Sequence, residues 1–385
     1  MILLFPYMAR WNSANMSRYY HLFKKIADAG HTVIVVQPPP RKSEETNYID
    51  IPMQNPRNLF LYTVDINTTV WNLAFPFDKF FKKALYTVIS FFLIKKLVAQ
   101  HKPDALIVYN LPQYLYTFID VPVVFDYADD YIAMLEHELG ISHNHIMSKL
   151  GNSLLHMLVK RSMAVMSVSE ILYNKVDHKK KVLLPNGADM GSNTQSETIL
   201  HIDKSKPVVG YVGAFEYFID LDLMLNVARS LPNFTFLFVG ARREFKRIKN
   251  EVSSGNLSNV ILTGAVPHRQ AMQFVAEMDI CLNLFNKGEV ADAASPIKVF
   301  EYLAKRKPLI TTRLSEIERI DKESQAFFYA DTLDEVIQEI EFILDNPYIV
   351  DEKVNRGIEL IKKEYNWDHL ASIFVENIRW SSNSK

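Results

Sequence analysis

Two groups of residues in this 385-residue chain have types and spacings that could do chemistry. The first is Ser295-Pro296-Ile297-Lys298-Val299-Phe300-Glu301-Tyr302. Ser295 suits an N-cap and Pro296 the first helical position, so a helix is expected to begin here. The first N–H groups of a helix and its dipole attract an anion, and Lys298 adds a full positive charge close by. Glu301 lies one turn further along the same face. Its carboxylate can accept hydrogen bonds from a vicinal diol such as a ribose. Together the two are suited to gripping a nucleoside diphosphate. The same pattern also fits an ordinary capped helix, and spacing alone does not separate the two readings.

The second group is Asp126, Asp129 and Asp130, which follow the apolar run Pro122-Val123-Val124-Phe125. Carboxylates crowded at the end of a buried strand repel one another, and like charge raises a carboxyl pKa toward working pH. That is what a general base for a hydroxyl proton needs. Asp126 and Asp129 are the candidate bases, and Asp130 suits the cap of the next helix. All three could instead be caps and solvated turn residues.

Strands must position these groups. Apolar and β-branched runs at Ile2–Phe5, Thr32–Val36, Ala105–Val108, Val121–Phe125, Val165–Val168 and Val182–Leu184 alternate with helical stretches, including Ser13 to Ala29 and Asp78 to Gln100. A second alternating series has strands near Val208–Val212, Phe234–Val239, Val260–Leu262, Ile280–Leu284, Leu309–Thr312 and Ala326–Tyr329. Strands separated by helices predict parallel sheets covered on both faces. The fold class is therefore α/β, two doubly wound Rossmann-like domains facing across a cleft, with ligands at the carboxyl ends of the strands. The expected boundaries are 1–187 for the first domain, 188–206 for a polar linker and 207–365 for the second domain. Residues 366–385 are expected to form a helix returning to the first.

Composition narrows the function. Hydrophobic residues make up 48% and charged residues 23%, enough for two real cores. A net charge of −1 argues against a general nucleic-acid binder. The single cysteine, Cys281, lies in a strand-like run and reads as a buried thiol in a reducing compartment. Met1–Pro6 is too short for a signal peptide and lacks a basic start, so it reads as a first buried strand. No apolar run reaches the ~18 residues of a membrane span.

The segment from Pro296 to Pro308 resembles the donor-site motif of GT-B glycosyltransferases, especially family 4 and related bacterial polysaccharide and lipid-linked glycan enzymes. Leu183-Leu184-Pro185-Asn186-Gly187-Ala188-Asp189 resembles their interdomain signature. Val209-Gly210-Tyr211-Val212-Gly213-Ala214 resembles the first strand and turn of their C-terminal domain. The resemblance is strongest over residues 181–312 and diffuse over the first 120. It implies transfer of a sugar, a hexose, from a nucleotide-diphospho-sugar such as a UDP-sugar. The acceptor would be a hydroxyl of a saccharide or a polyprenyl-linked glycan, in cell-envelope polysaccharide synthesis. Ser295, Pro296, Ile297, Lys298 and Glu301 would hold the donor, with Gly213, Glu216, Arg242 and Val266. Asp126 or Asp129 would be the base. The resemblance implies no metal and no cofactor, and a cytoplasmic site of action at the inner face of the cell membrane.

The match is incomplete. Family members often carry Arg and Lys soon after the glycine matching Gly213, where this chain has Ala214, Ile219 and Asp220. The Glu they place eight residues before the position of Glu301 is Ala293 here, so retention of configuration does not follow. These departures keep two rivals open: a sugar-nucleotide epimerase of the same fold, and a non-catalytic glycan- or nucleotide-sugar-binding subunit. Near the N-terminus, Trp11, Asn15 and Arg18 stand where relatives have a Gly-rich turn and are candidate acceptor or donor contacts, although Ser13 could simply cap a helix there. Between residues 70 and 96, Trp71, Phe75, Phe77, Phe80, Phe81, Phe91 and Phe92 interleave with Lys79, Lys82, Lys83, Lys95 and Lys96. Such a segment can lie in an anionic membrane interface or be a core helix with solvated lysines.

Overall fold

The computed structural model describes residues 1–11, 17–40, 55–73, 78–190 and 202–382. Packing divides the chain into two compact units. Unit 1 is Met1–Pro185 with Trp367–Lys385, and unit 2 is Asn186–Asn366.

Unit 1 is built on β1 (Ile2–Pro6), β2 (Thr32–Gln37), β3 (Leu59–Thr63), β4 (Ala105–Val108), β5 (Val123–Tyr127), β6 (Ala164–Ser167) and β7 (Lys181–Leu183). Among the described residues they form one sheet in the order β3-β2-β1-β4-β5-β6-β7, with every pair parallel. The central strands are inaccessible on both faces, which is why they read as unbroken apolar runs. The strand order reverses at β1, so crossovers of the usual right-handed sense put the helix Arg18–Asp28 on one face and the helix Asp78–His101 on the other. The helix Trp367–Ser382 packs beside Arg18–Asp28, its Phe374 edge-on to Phe23 at 5.8 Å. Leu370, Phe374 and Ile378 form its buried stripe. The opposite layer consists of Asp78–His101, the 3₁₀ segment Leu111–Phe118 and the helix Ile146–Arg161.

Three expectations change here. The first helix begins at Arg18 rather than Ser13, and residues 12–16, Ser13 and Asn15 among them, lie outside the described residues. β3 falls outside the expected strands although Leu59-Phe60-Leu61-Tyr62 is an apolar run; it is an edge strand half open to solvent. The helix Ile146–Arg161 was not anticipated either, since Ser148, Gly151, Asn152 and Ser153 dilute its helical signal.

Unit 2 is built on β8 (Val208–Val212), β9 (Thr235–Val239), β10 (Val260–Gly264), β11 (Ile280–Asn283), β12 (Leu309–Thr311) and β13 (Phe328–Tyr329). Their order is β10-β9-β8-β11-β12-β13, again all parallel. The order reverses between β8 and β11, the point where open α/β sheets bind ligands. Cys281 is fully buried in β11 and burial raises its thiol, so it is an inert core residue.

The crossing between units falls at Pro185–Asn186, earlier than the expected linker. Asn186 is tied within unit 2 by Nδ2 donating to the Ser295 carbonyl at 2.5 Å. The Ala188 N–H donates to the Tyr365 carbonyl at 2.9 Å. Residues 191–201 of that expected linker lie outside the described residues.

Candidate functional site

The carboxyl edge of the unit 2 sheet gathers most of the first group. The helix Ile297–Ala304 starts beside the ends of β8 and β11. Tyr302 anchors it: its hydroxyl accepts from the Val212 N–H at 2.7 Å and lies 3.2 Å from the Val212 carbonyl. This fixes the helix N-terminus over the turn Gly213-Ala214. Lys298 then lies over the Tyr211 ring at 4.7 Å and the Phe285 ring at 5.2 Å, and its Nζ donates to the Tyr211 hydroxyl at 3.2 Å. Tyr211 is in β8 and Phe285 follows β11, so the amine sits at the switch point.

Close backbone approach explains the glycines. A Cβ on Gly213 would stand 2.8 Å from Lys298 Cε, and one on Gly240 would stand 1.9 Å from the Gly213 carbonyl oxygen. Both adopt positive φ, 153° and 142°. Only glycine fits two turns packed this tightly. Arg242, two residues on, is held at φ 105°, a region a long side chain rarely occupies.

The electrostatics suit an anion. Burial pushes Lys298 down to about 7, with Glu301 pulling the other way. Glu301 is itself engaged, its Oε1 2.5 Å from His268 Nε2. Burial alone would lower His268, but the charge and hydrogen bond of Glu301 outweigh it and the net shift is upward. His268 is the first residue of the helix His268–Glu277, directly after the turn that holds Val266. It escaped the sequence reading because nothing local links it to a carboxylate 33 residues away.

The remaining donor candidates are close by or support the helix. Glu216 lies 3.6 Å from Arg243 and raises the Tyr211 hydroxyl after burial. Val266 is half-buried in the turn after β10. Ser295 is not the N-cap: the helix starts at Ile297, with Pro296 in the capping position and no side-chain cap. The Ser295 hydroxyl instead accepts from the Asn186 N–H at 3.4 Å, so it joins the Pro185-Asn186-Gly187 segment to the helix start. No side chain caps the first turn, where the Val299 N–H donates to the Pro296 carbonyl at 3.1 Å.

In unit 1 the three aspartates separate by environment. Asp126 is fully buried in β5, and Arg18, only 4% exposed, grips it with Nε and Nη2 at 2.9 and 3.0 Å. The third arm of Arg18 donates to the Pro185 carbonyl at 2.9 Å. A carboxylate held this way has no access to a substrate. Asp130 caps the helix Tyr131–Leu139 through the Ala133 N–H at 3.1 Å and pairs with Lys175 at 2.5 Å. Asp129 is exposed to solvent although protein crowds it. Burial raises its carboxyl to about 6, Asp126 and Asp130 adding and Lys83 and Arg18 opposing. Of the two candidate bases, only Asp129 is open to solvent.

Two of the three acceptor candidates near the N-terminus, Trp11 and Arg18, are engaged within the fold. Trp11 is 2% exposed, its backbone N–H bound to Gln37 at 2.8 Å and its indole N–H to Asn55 at 3.1 Å. Arg18 is spent on Asp126. Asn15 lies outside the described residues. In the aromatic segment Trp71 is buried, Phe81 and Phe92 are exposed, and Phe75 and Phe77 lie outside the described residues.

Residues 222–376 match the family described as glycosyl transferase-like. A putative teichuronic acid biosynthesis glycosyltransferase of Bacillus subtilis (strain 168) is 24% identical over 184 residues, which is 43% of this chain and 44% of that protein. Sucrose-phosphate synthase from Thermosynechococcus elongatus superposes with a TM-score of 0.75 at 15% identity, covering 100% of both chains. Anabaena HepE, solved with UDP-glucose, gives 0.70 at 11% identity over 99% of this chain and 100% of its own. The fold is GT-B, as in these solved structures.

Proposed function

We propose that this chain, a GT-B fold whose residues 222–376 match the glycosyl transferase-like family, transfers a hexose from a UDP-sugar to a hydroxyl of a saccharide or polyprenyl-linked glycan in cell-envelope polysaccharide synthesis. The observation that carries the reading is Lys298 over the Gly213 turn at the unit 2 switch point, with Glu301 one helical turn further. The teichuronic acid relative supports the pathway class, and UDP-glucose bound to HepE supports the donor class.

Each group has a role. Lys298 and the open N-terminus of Ile297–Ala304 bind the diphosphate and stabilise it as its charge grows. Gly213 and Gly240 let backbone approach the phosphates. Glu301, held by His268, accepts from the ribose hydroxyls. In the transfer, the acceptor oxygen bonds to the anomeric carbon, and the bond from that carbon to the diphosphate oxygen breaks with its electron pair leaving on UDP. Asp129 receives the acceptor proton. The amine and the helix dipole supply the charge stabilisation that a divalent ion would supply elsewhere, so the reaction is metal-independent. Residues 70–96 contact the inner face of the cell membrane, where a polyprenyl-linked acceptor is found. No helix among the described residues is long and apolar enough to cross a membrane.

One assay tests the whole: UDP release from a panel of UDP-sugars, with and without saccharide acceptors, in EDTA. Acceptor-dependent UDP release that survives EDTA is expected. Donor conversion without acceptor would indicate an epimerase. UDP binding with no release under any acceptor would indicate a binding subunit. Loss of activity in EDTA with recovery on Mn²⁺ or Mg²⁺ would overturn metal independence.

The ribose grip has its own expectation. Glu301→Ala should weaken UDP binding by about 10-fold or more, the worth of hydrogen bonds to a charged group. His268→Ala should weaken it by about 3- to 10-fold, because Glu301 loses the partner that orients it. Calorimetric titration with UDP and with UMP reads both, and unchanged affinities in both variants would remove Glu301 from the site.

A further inference from the structure

We propose that the hydroxyls of Tyr19 and Tyr131 determine which acceptor is used: an uncharged pyranose, whose hydroxyls near the reacting one accept from these two phenols while Asp129 takes the proton. This rests on the transferase reading and adds to it the class of acceptor sugar and the residues that select it.

Topology brings the two phenols to Asp129. In unit 1, β1 and β4 lie side by side where the strand order reverses, and β5 is next to β4. Tyr109 directly follows β4, and Asp129 and Tyr131 lie just beyond the end of β5. Tyr19 is in the first turn of the helix Arg18–Asp28, which follows β1. All four therefore belong to the carboxyl edge of the sheet at its switch point, where open α/β sheets take ligands. The ring centres of Tyr19 and Tyr109 are 4.6 Å apart, and those of Tyr127 and Tyr131 are 6.1 Å apart. Burial raises the Tyr131 phenol, and the Asp129 charge adds to it. Burial raises Tyr19 as well, with the charges of Asp126 and Tyr131 adding. Both are thus O–H donors at neutral pH.

What sets these two hydroxyls apart is that they are enclosed and have no hydrogen-bond partner. Their polar neighbours are all engaged within the fold. Asp126 holds Arg18, Asp130 holds Lys175 and caps its helix, and the Tyr7 hydroxyl meets Ser17 Oγ at 2.9 Å. The Tyr109 hydroxyl accepts from the Met8 N–H at 2.9 Å. Enclosed polar atoms in folded proteins are nearly always bonded, so two bare phenols beside the exposed Asp129 point to a partner that arrives with the ligand. A pyranose suits them, because it presents hydroxyls at its rim and C–H groups on its faces, and a tyrosine offers a polar tip on an apolar ring. The charges favour an uncharged ring. Arg18 and Lys175 serve Asp126 and Asp130, and Lys83 already opposes the charge of Asp129. A carboxylate or phosphate on the reacting ring would stand beside Asp129 as a like charge.

Acceptor kinetics of the full chain test this. UDP release from a panel of UDP-sugars is measured with the methyl glycosides of glucose, galactose and N-acetylglucosamine, and with methyl glucuronide. The wild type should use a neutral glycoside about tenfold or more better than the glucuronide, and Tyr131→Phe and Tyr19→Phe should each lower kcat/KM for that acceptor by about tenfold or more. UDP affinity by calorimetry should not change in either variant. Both should melt at or above the wild-type temperature, because a bare hydroxyl gives the fold no bond to lose. Acceptor kinetics unchanged in both variants overturn the role of the phenols while the transferase reading stands. A lower melting temperature with unchanged acceptor kinetics does the same and assigns the hydroxyls to a buried water of the fold. Preference for the glucuronide overturns the uncharged acceptor. If no acceptor stimulates UDP release from any donor, the transferase reading itself fails and this proposal fails with it.

Discussion

Lys298→Ala is expected to lower kcat/KM for the UDP-sugar by about 10²–10³, the usual loss when a group aimed at developing charge is removed. Lys298→Met is expected to do the same while making the protein more stable at pH 7. A residue that only supported the fold would lower both quantities. The sign follows from the amine's position over two aromatic rings. In the folded chain Lys298 titrates at about 7, against 10.5 for an unperturbed lysine. Between those values the unfolded chain holds the extra proton, so the stability deficit is full below about 7 and disappears as pH rises toward 10.5. Removing the amine removes a deficit of about 1–3 kcal/mol, allowing for its partial exposure.

The same pKa shapes donor binding. A diphosphate favours the ammonium form, so above about 7 UDP must bring a proton with it. UDP affinity should fall close to tenfold per pH unit above 7 in the wild type and stay flat in Lys298→Met. Calorimetry at pH 8 in buffers of different ionisation enthalpy should detect uptake of nearly one proton per UDP by the wild type and none by the variant. Proton uptake unaffected by the substitution would place the diphosphate elsewhere.

What the sequence made legible was what is local. Lys298 and Glu301 share one short helix, so their types and spacing carried their pairing. The alternation of strands and helices gave both sheets, apart from the half-exposed edge strand β3. What it hid depends on contacts through space. Ser295 has the right residue type for a cap, yet the Asn186 N–H engages its hydroxyl, and a cap cannot be read when the competing donor is 109 residues away. His268 acquires meaning only from Glu301, and Arg18 only from Asp126, 108 residues apart. The three aspartates look alike in one dimension. Their roles diverge because Asp126 lies inside β5, where burial demands a cation, while Asp129 lies beyond its end.

That divergence gives the other large effect. Asp129→Asn should reduce kcat by about 10²–10⁴, the contribution of a positioned general base. Its thermal stability near neutral pH should hold or rise. The Asp129 carboxyl sits at about 6 when folded against 3.8 when unperturbed, so the folded chain binds the extra proton between those values and stability declines as pH climbs through them. At pH 7 the ionised carboxylate is a cost that Asn does not carry. Asp126→Asn should behave oppositely, losing about 3–5 kcal/mol because Arg18 is left with no ionised partner, while the folded fraction keeps the base. In the wild type, kcat should fall on the acid side of about 6 with a slope of one, and that limb should vanish in Asp129→Asn. If both activity and the acid limb survive in Asp129→Asn, the departing diphosphate takes the acceptor proton itself. The reaction would then run on one face of the sugar with retention, and no carboxylate of unit 1 would serve as base.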